Sequence, residues 1–277
     1  MERPTDWAAL WRDLVDARAR GRADDAGSPQ PADPWATRAR EFHERVTRRW
    51  AEPDSSRRLV LSRVHEGSTV LDIGAGTGAW TAMLARRAAQ VTAVEPSPAM
   101  IAVMRENLAA RGIANVRIVQ GTWPEVDVEP HDYSLCSHAM YSTRDLPAFV
   151  RRMISATSRM CFLVLRAPSR DGLMAEAAVH VWGHPLDSPN FTVAYNILLD
   201  MGLFPSVLAE VGSARDPRTS PSPADALRRM KLHFGVTDTT EHDAYFRALL
   251  RRRLRYQDGR YVWPLDGGSA PVYWSVR

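Results

Sequence analysis

Apolar residues recur along the chain with two periods, and the switch between them outlines a fold. Trp7, Leu10, Trp11, Leu14 and Val15 are spaced i, i+3, i+4, i+7, i+8 and predict an amphipathic helix within 1–20. A stretch rich in Gly, Pro, Ser and Asp over 21–34 reads as a linker or loop. Helical spacing resumes with Trp35, Ala39, Phe42 and Val46 and runs to Trp50. From 68 the pattern changes to short apolar runs at 68–73, 91–95, 116–119, 133–137 and 160–165, each expected to be a buried strand. Between them lie helical patterns at 78–89, at 98–111 and at 144–156. The second of these opens with Ser97 as N-cap and Pro98 at the first helical position, and stops at Gly112. Strand–helix alternation of this kind predicts a doubly wound parallel sheet with right-handed crossovers. Beyond 165 the alternation loosens. Helices are expected over 172–182, 190–201, 223–233 and 241–256, and strands over 206–211 and 272–276, with a loop bearing Pro217, Pro221 and Pro223 between.

Composition narrows the class. A chain of 277 residues with 45% hydrophobic and 25% charged residues is long enough for one large α/β domain with insertions. No apolar run reaches the ~18 residues of a membrane span. Residues 1–22 are charged and carry no signal-peptide core, which makes the cytoplasm the expected compartment. Cys136 and Cys161 both fall in apolar runs and are expected to be buried free thiols. The net charge of +4 comes almost wholly from arginine, since Lys231 is the only lysine. The excess is mild and spread out, and the 251–255 arginine run lacks interleaved aromatics, which argues against a nucleic-acid partner.

The candidate chemistry sits in Asp72-Ile73-Gly74-Ala75-Gly76-Thr77-Gly78. A strand turning through glycines into a helix brings bare backbone N–H groups to a ligand. Gly74, Gly76 and Ala79 satisfy the dinucleotide pattern G-x-G-x-x-G/A, with Glu95 about 20 residues on as a ribose-binding acid. Asp72 weighs against that reading. A carboxylate two residues before the first glycine would repel a pyrophosphate, whereas it suits S-adenosylmethionine (SAM), which carries a sulfonium and an ammonium and no phosphate.

The block Asp-x-Gly-x-Gly-x-Gly with Glu95 closing the next strand resembles motif I and its acidic follow-up in class I SAM-dependent methyltransferases. The resemblance covers about 65–212 and the closing strand. It implies an α/β fold with a mostly parallel seven-stranded sheet, an antiparallel last strand and helical caps. The expected division is a helical N-terminal cap (1–60), a SAM-binding core (61–213), a helical insertion (214–268) and a closing edge strand (269–277). It implies a cofactor site formed by Asp72, Gly74, Ala75, Gly76 and Gly78, with Glu95 on the ribose hydroxyls and Pro96 and Met100 flanking adenine; Met100 also reads as core. Thr122 departs from the acidic residue or Asn that many members use to read the adenine amino group, so Trp123 and backbone are left to hold the ring. Ser137 ends the strand that faces the methionine half. The segment from Asp33 to Phe42 resembles the short helix that covers the cofactor, with Trp35 as lid and Arg38 either paired with the methionine carboxylate or simply packing.

Past Ser137, His138 is the candidate general base, its ordinary pKa lying near working pH, with a pocket-shaping histidine as the alternative. Tyr141 either orients the acceptor or packs the rim. His180 and His184 are four apart, but Gly183 and Pro185 interrupt the helix and no third ligand is near, so no metal site is expected. The aromatics Trp7, Trp11, Trp35, Trp182, Phe191, Phe234, Tyr245 and Trp263 suggest an apolar chamber, and with it a small-molecule acceptor that is aromatic or apolar in part. The rival readings are a protein or RNA methyltransferase and a non-catalytic SAM-binding regulatory module.

Overall fold

Val70, Leu71 and Ile73 are buried to within 1% of full burial and, with Asp72, make the central strand of the sheet. The computed structural model describes residues 5–25, 33–168, 172–210, 218–265 and 267–276. In chain order its elements are α1 (Trp7–Asp25), α2 (Ala39–Arg49), α3 (Ser55–Arg63), β1 (Thr69–Ile73), α4 (Ala79–Ala85), β2 (Gln90–Glu95), α5 (Pro98–Ala109), β3 (Val116–Gln120) and β4 (His131–Ser137). A 3-10 turn at Met140–Ser142 leads to α6 (Leu146–Ser155) and β5 (Thr157–Ala167). Then come α7 (Leu173–Trp182), α8 (Phe191–Asp200), β6 (Ser206–Val207), β7 (Thr219–Ser220), α9 (Pro223–Phe234), α10 (Asp243–Arg253), β8 (Arg255–Gln257), β9 (Arg260–Val262) and β10 (Gly268–Ser275).

Among the described residues the main sheet has seven strands in the order β3-β2-β1-β4-β5-β10-β6. The β1–β2, β1–β4, β2–β3 and β4–β5 pairs are parallel, and β10 runs antiparallel to β6. This is the doubly wound, mostly parallel sheet with an antiparallel strand that the alternation and the resemblance imply. The strand order reverses between β1 and β4, and in such sheets ligands bind beyond the carboxyl ends of the strands at that reversal. The register sets Asp72 between Ala93 and Leu135.

Two compact units can be told apart. One comprises the described parts of 31–165, 195–214 and 269–277 and holds the main sheet. The other comprises the described parts of 1–30, 166–194 and 215–268 and is helical, with the small sheet β7-β9-β8. The boundaries therefore differ from those expected. Trp35 to Arg63 belongs with the sheet, and 166–194 joins the insertion, because α7, α9 and α10 share one core around Met174, Met230, Phe234, Phe246 and Trp263. Trp11, Phe234 and Trp263 are buried inside this helical unit, so these aromatics fill its own interior.

Two features escaped the sequence pattern. In α3, Arg57 is buried; its guanidinium bonds Asp54 and the carbonyls of Trp50 and Glu52 and lies 4.8 Å from the Trp50 ring. An arginine acting as a core residue is invisible to hydrophobic periodicity. The small sheet has strands of two and three residues, too short for a period-2 signal. The expected linker at 21–34 begins too early, since α1 runs on to Asp25, and 26–32 lie outside the described residues; the expected 206–211 strand is only Ser206–Val207, with 211 outside the described residues. Cys136 and Cys161 are buried free thiols, as expected.

Candidate active site

The turn between β1 and α4 is shaped by its three glycines, all at positive φ: 70° at Gly74, 57° at Gly76 and 78° at Gly78. Each has a different reason to lack a side chain. A Cβ on Gly74 would lie 2.2 Å from the Ala139 Cβ, just past β4, and one on Gly78 would lie 2.5 Å from Met104 Cγ of α5. At Gly76 the nearest atom to such a Cβ is Phe42 of α2, at 3.9 Å, so this is the face left open towards α2. The amides of Gly74 and Ala75 both donate to the Val94 carbonyl, at 2.8 and 3.0 Å, which pins the turn to β2.

Two carboxylates support the turn. Asp72 is 2% exposed and accepts a hydrogen bond from the Thr81 hydroxyl at 2.6 Å. Burial pushes its pKa up to about 7, and the charge of Glu95 adds to the rise against the Thr81 bond. Glu95 accepts from the Gly76 amide at 2.8 Å and the Ser97 amide at 3.0 Å. Its pKa is raised too, by burial first, with those amides opposing and Asp33 reinforcing. Both rises come first from burial, and a cationic ligand beside the two acids would favour their ionised forms where a pyrophosphate would oppose them. Asp72 is closed to direct contact, and Glu95 keeps unused lone pairs beyond its two amide bonds.

A second layer was missed by sequence reasoning. Asp33 accepts from the Trp35 and Ala99 amides and the Ser97 hydroxyl, at 2.9, 3.1 and 2.8 Å. Burial works against its ionisation, but these bonds outweigh burial and hold its carboxyl below the usual range. His43 of α2 bonds Thr77 Oγ1 at 3.1 Å, and its pKa is lowered by burial and by Arg111. Asn107 of α5 donates to the Thr77 carbonyl at 3.1 Å. The Asp33–His43 segment thus bonds the start of α5 through Asp33 and the glycine turn through His43. Among these residues only Asp33 carried a local cue, as an acid ahead of Pro34 and a helix.

The remaining candidates divide. Trp35 is half-buried and meets Phe42 edge-on at 5.1 Å. Pro96 and Thr122 are exposed, and Ser137 is half-buried at the end of β4. Met100 is 2% exposed and packs with Ala39, Val103, Trp35 and Phe42, so it is core between α2 and α5. Trp123 is 6% exposed, donates its indole N–H to the Phe149 carbonyl at 3.2 Å and has Arg152 5.6 Å from its ring. It packs α6 and offers no open stacking face. Arg38 is exposed, bonds the Pro34 carbonyl and lies 5.5 Å over the Trp35 ring, so it packs on its own helix entry.

His138 follows β4 at φ 55°, a conformation few non-glycine residues adopt. Its amide donates to the Val164 carbonyl at 3.0 Å. Nδ1 lies 3.0 Å from Tyr141 Oη and Nε2 lies 3.1 Å from Ser269 Oγ of β10. The Ser269 contact spans 131 residues of sequence and had no local signal. Among the described residues no three His, Cys, Asp or Glu side chains gather as metal ligands. His180 stacks on Tyr245 at 3.8 Å.

Residues 70–159 match a family model described as a methyltransferase domain. Over that third of its length the chain resembles a methyltransferase domain, and its sheet has the class I fold. SAM is the cofactor of that family, and the residues present fit it: a glycine cradle open at Gly76, an acid ending β2 and a buried acid, Asp72, beneath the turn. The ribosomal RNA small subunit methyltransferase A of Rubrobacter xylanophilus is 31% identical over 139 residues, 47% of this chain and 52% of that protein. The magnesium-protoporphyrin O-methyltransferase of Rhodobacter capsulatus is 31% identical over 128 residues, 44% of this chain and 56% of that protein. The chain spans about half the length of these curated relatives and less of others. The crystal structure of YcgJ from Bacillus subtilis shares the fold, with a TM-score of 0.53 at 16% identity over 80% of this chain and 97% of that one.

These relatives overturn one expectation. Ribosomal RNA methyltransferases recur among them, so the spread-out charge of this chain does not argue a nucleic-acid partner away. A whole-chain charge count averages over the surface and says nothing of one face. No helix among the described residues is long and apolar enough to cross a membrane.

Proposed function

We propose that the chain transfers a methyl group from SAM to a small-molecule acceptor by in-line displacement. The observation that carries this reading is the contact of two strand ends. Gly74 at the cofactor turn abuts Ala139, which adjoins His138 in sequence and lies two residues before Tyr141, and this supports His138 as a proton acceptor near the cradle. SAM, when bound, supplies a methyl carbon already activated by a positively charged sulfur. The chain is left to align, to exclude water and to handle a proton; alignment alone contributes about 7–11 kcal/mol in favourable cases. Glu95 would hold the ribose, the Gly74–Gly78 turn would take the amino-acid tail under the field of Asp72, and Phe42 and Trp35 would roof the site. An aromatic roof suits a small, partly apolar acceptor, and the Rhodobacter relative is named for one.

A second reading, methylation of RNA, is favoured by the Rubrobacter relative. Incubation with tritium-labelled SAM, once with pooled phenols, carboxylic acids and porphyrins and once with ribosomal RNA, separates the two. Label in the low-mass fraction is expected. Label in RNA alone would replace the small-molecule reading, and absence of SAM binding would remove both.

A further inference from the structure

The positive charge of the chain gathers in one place. Residues 247–260 hold six arginines and one acid, Asp258, a formal +5 in a short stretch where the whole chain carries +4. Folding neutralises part of it. Glu176 pairs with Arg252 and Arg253, and Asp243 lies 3.7 Å from Arg247. Arg251 and Arg255 are exposed and take part in none of these pairs, and exposed Arg260 donates to the Thr219 hydroxyl at 3.2 Å. Two aromatic rings stand among these arginines. Asp258 and Gly259 lie at φ 49° and 75°, the left-handed pair that a two-residue hairpin turn requires. That turn sets β8 against β9 with Tyr256 directly opposite Tyr261, ring centroids 5.0 Å apart. β8 is the edge strand of the small sheet, and Tyr256 is 68% exposed. Side chains alternate along a strand, so Arg255 and Arg260 project from the face opposite the two tyrosines. Arg251 lies four residues before Arg255, in the last turn of α10.

We propose that the exposed β8 edge of this hairpin docks single-stranded nucleic acid. A strand lying along the edge stacks a base on Tyr256 and turns its phosphates to Arg251, Arg255 and Arg260. Stacking on an aromatic side chain tolerates any base, and arginine contacts to phosphate release counterions, so the surface binds by chemistry common to all sequences. The sign of the charge selects a polyanion. The exposed tyrosine selects among polyanions, because a solvated face of arginines has no need of one. A duplex keeps its bases stacked inside and can use the arginines alone. An anionic membrane also meets the arginines, but one tyrosine at a narrow strand edge gives it little apolar area to bury. The proposal goes beyond the methyl-transfer reading and does not depend on which acceptor takes the methyl group.

The test titrates the full chain into a fluorescein-labelled single-stranded RNA of about 12 nucleotides, within the site sizes of such surfaces, with anisotropy read at several salt concentrations. The matching RNA duplex, and vesicles of phosphatidylcholine with phosphatidylserine, are titrated in parallel, and thermal melts check that each variant is folded. The single strand is expected to bind with a Kd of about 10⁻⁵ M or tighter near physiological salt, and more tightly than the duplex. Tyr256→Ala is expected to weaken binding by about fivefold or more, the low end for one lost base stack, and Tyr256→Phe, which keeps the ring, to leave it unchanged. Arg251→Gln and Arg255→Gln are each expected to flatten the slope of log K against log salt by about 0.7, as for one lost phosphate contact on a single strand. Absence of RNA binding, a folded Tyr256→Ala variant that binds RNA as the wild type does, or binding to the vesicles in place of RNA would overturn the proposal.

Discussion

At the scale of single residues, the three glycines of the turn make unequal demands. Gly74→Ala drives a methyl into Ala139, with 2.2 Å between carbons, and overpacking of this kind costs about 1–3 kcal/mol. Gly76→Ala meets nothing nearer than 3.9 Å and bears only the left-handed strain, about 1 kcal/mol. Urea denaturation should thus show the larger midpoint loss for Gly74→Ala, while SAM titration should show weakened binding in both. Asp72 makes a sharper test. Its folded pKa of about 7 lies above the unfolded value of 3.8, so the folded state holds a proton that the unfolded state releases. Stability contributed by this group therefore falls as pH rises from about 4 to about 7, by up to about 4 kcal/mol. Asp72→Asn should gain stability relative to the wild type across that window, measured by denaturant midpoint at pH 5 and pH 8, yet bind SAM more weakly at pH 8. A variant that loses stability equally at both pH values would refute the buried-acid account.

At the scale of elements, α2 is held on the glycine turn from its entry. Asp33 caps the Trp35 turn and also receives Ser97 and Ala99 at the start of α5. Asp33→Ala removes all three bonds, and losing a cap typically costs about 1 kcal/mol. Weaker SAM binding, by about fivefold at that energy, is expected with little change in far-UV circular dichroism; unchanged affinity would mean that the segment does not serve the site. In the helical unit, Asp187 is 1% exposed and bonds both Arg166 and His233, the latter at 3.1 Å. Burial opposes its ionisation, but His233 and Arg166 prevail and its carboxyl sits below the ordinary range. Its stabilisation is therefore present above the unfolded carboxylate pKa and fades as pH falls through the lower folded value. Asp187→Asn is expected to destabilise the protein at pH 7, since it removes the buried charge that faces Arg166 and His233, and to do so less at pH 3. Thermal melts at the two pH values check this.

At the scale of the whole molecule, what could be read from sequence is what local rules control. The alternation of short apolar runs with helical periods foretold β1 to β5 and their helices, and Ser97-Pro98 marked the start of α5 to the residue. Glu95 and the glycines were legible because one strand-turn-helix unit contains the cue. Where side chains meet over long sequence distances, the cues failed. Ser269 reaches His138 across 131 residues, and α7 joins α9 and α10 in one core although some 40 residues part it from α9. Trp123 read as ligand-facing, and Met100 as either ligand-facing or core, because aromatic and thioether side chains serve cores and cofactors alike, and only their burial decides. Charge misled in the same way, as a sum over the chain hides any one face.

Isothermal titration of the full chain with SAM, and separately with NADH, tests the central claim most directly, that an acid-backed glycine turn receives a phosphate-free cationic nucleoside. One equivalent of SAM should bind with heat, Glu95→Ala should weaken it at least tenfold through the lost ribose bonds, and NADH should give no signal. Heat from NADH with silence from SAM would contradict the account.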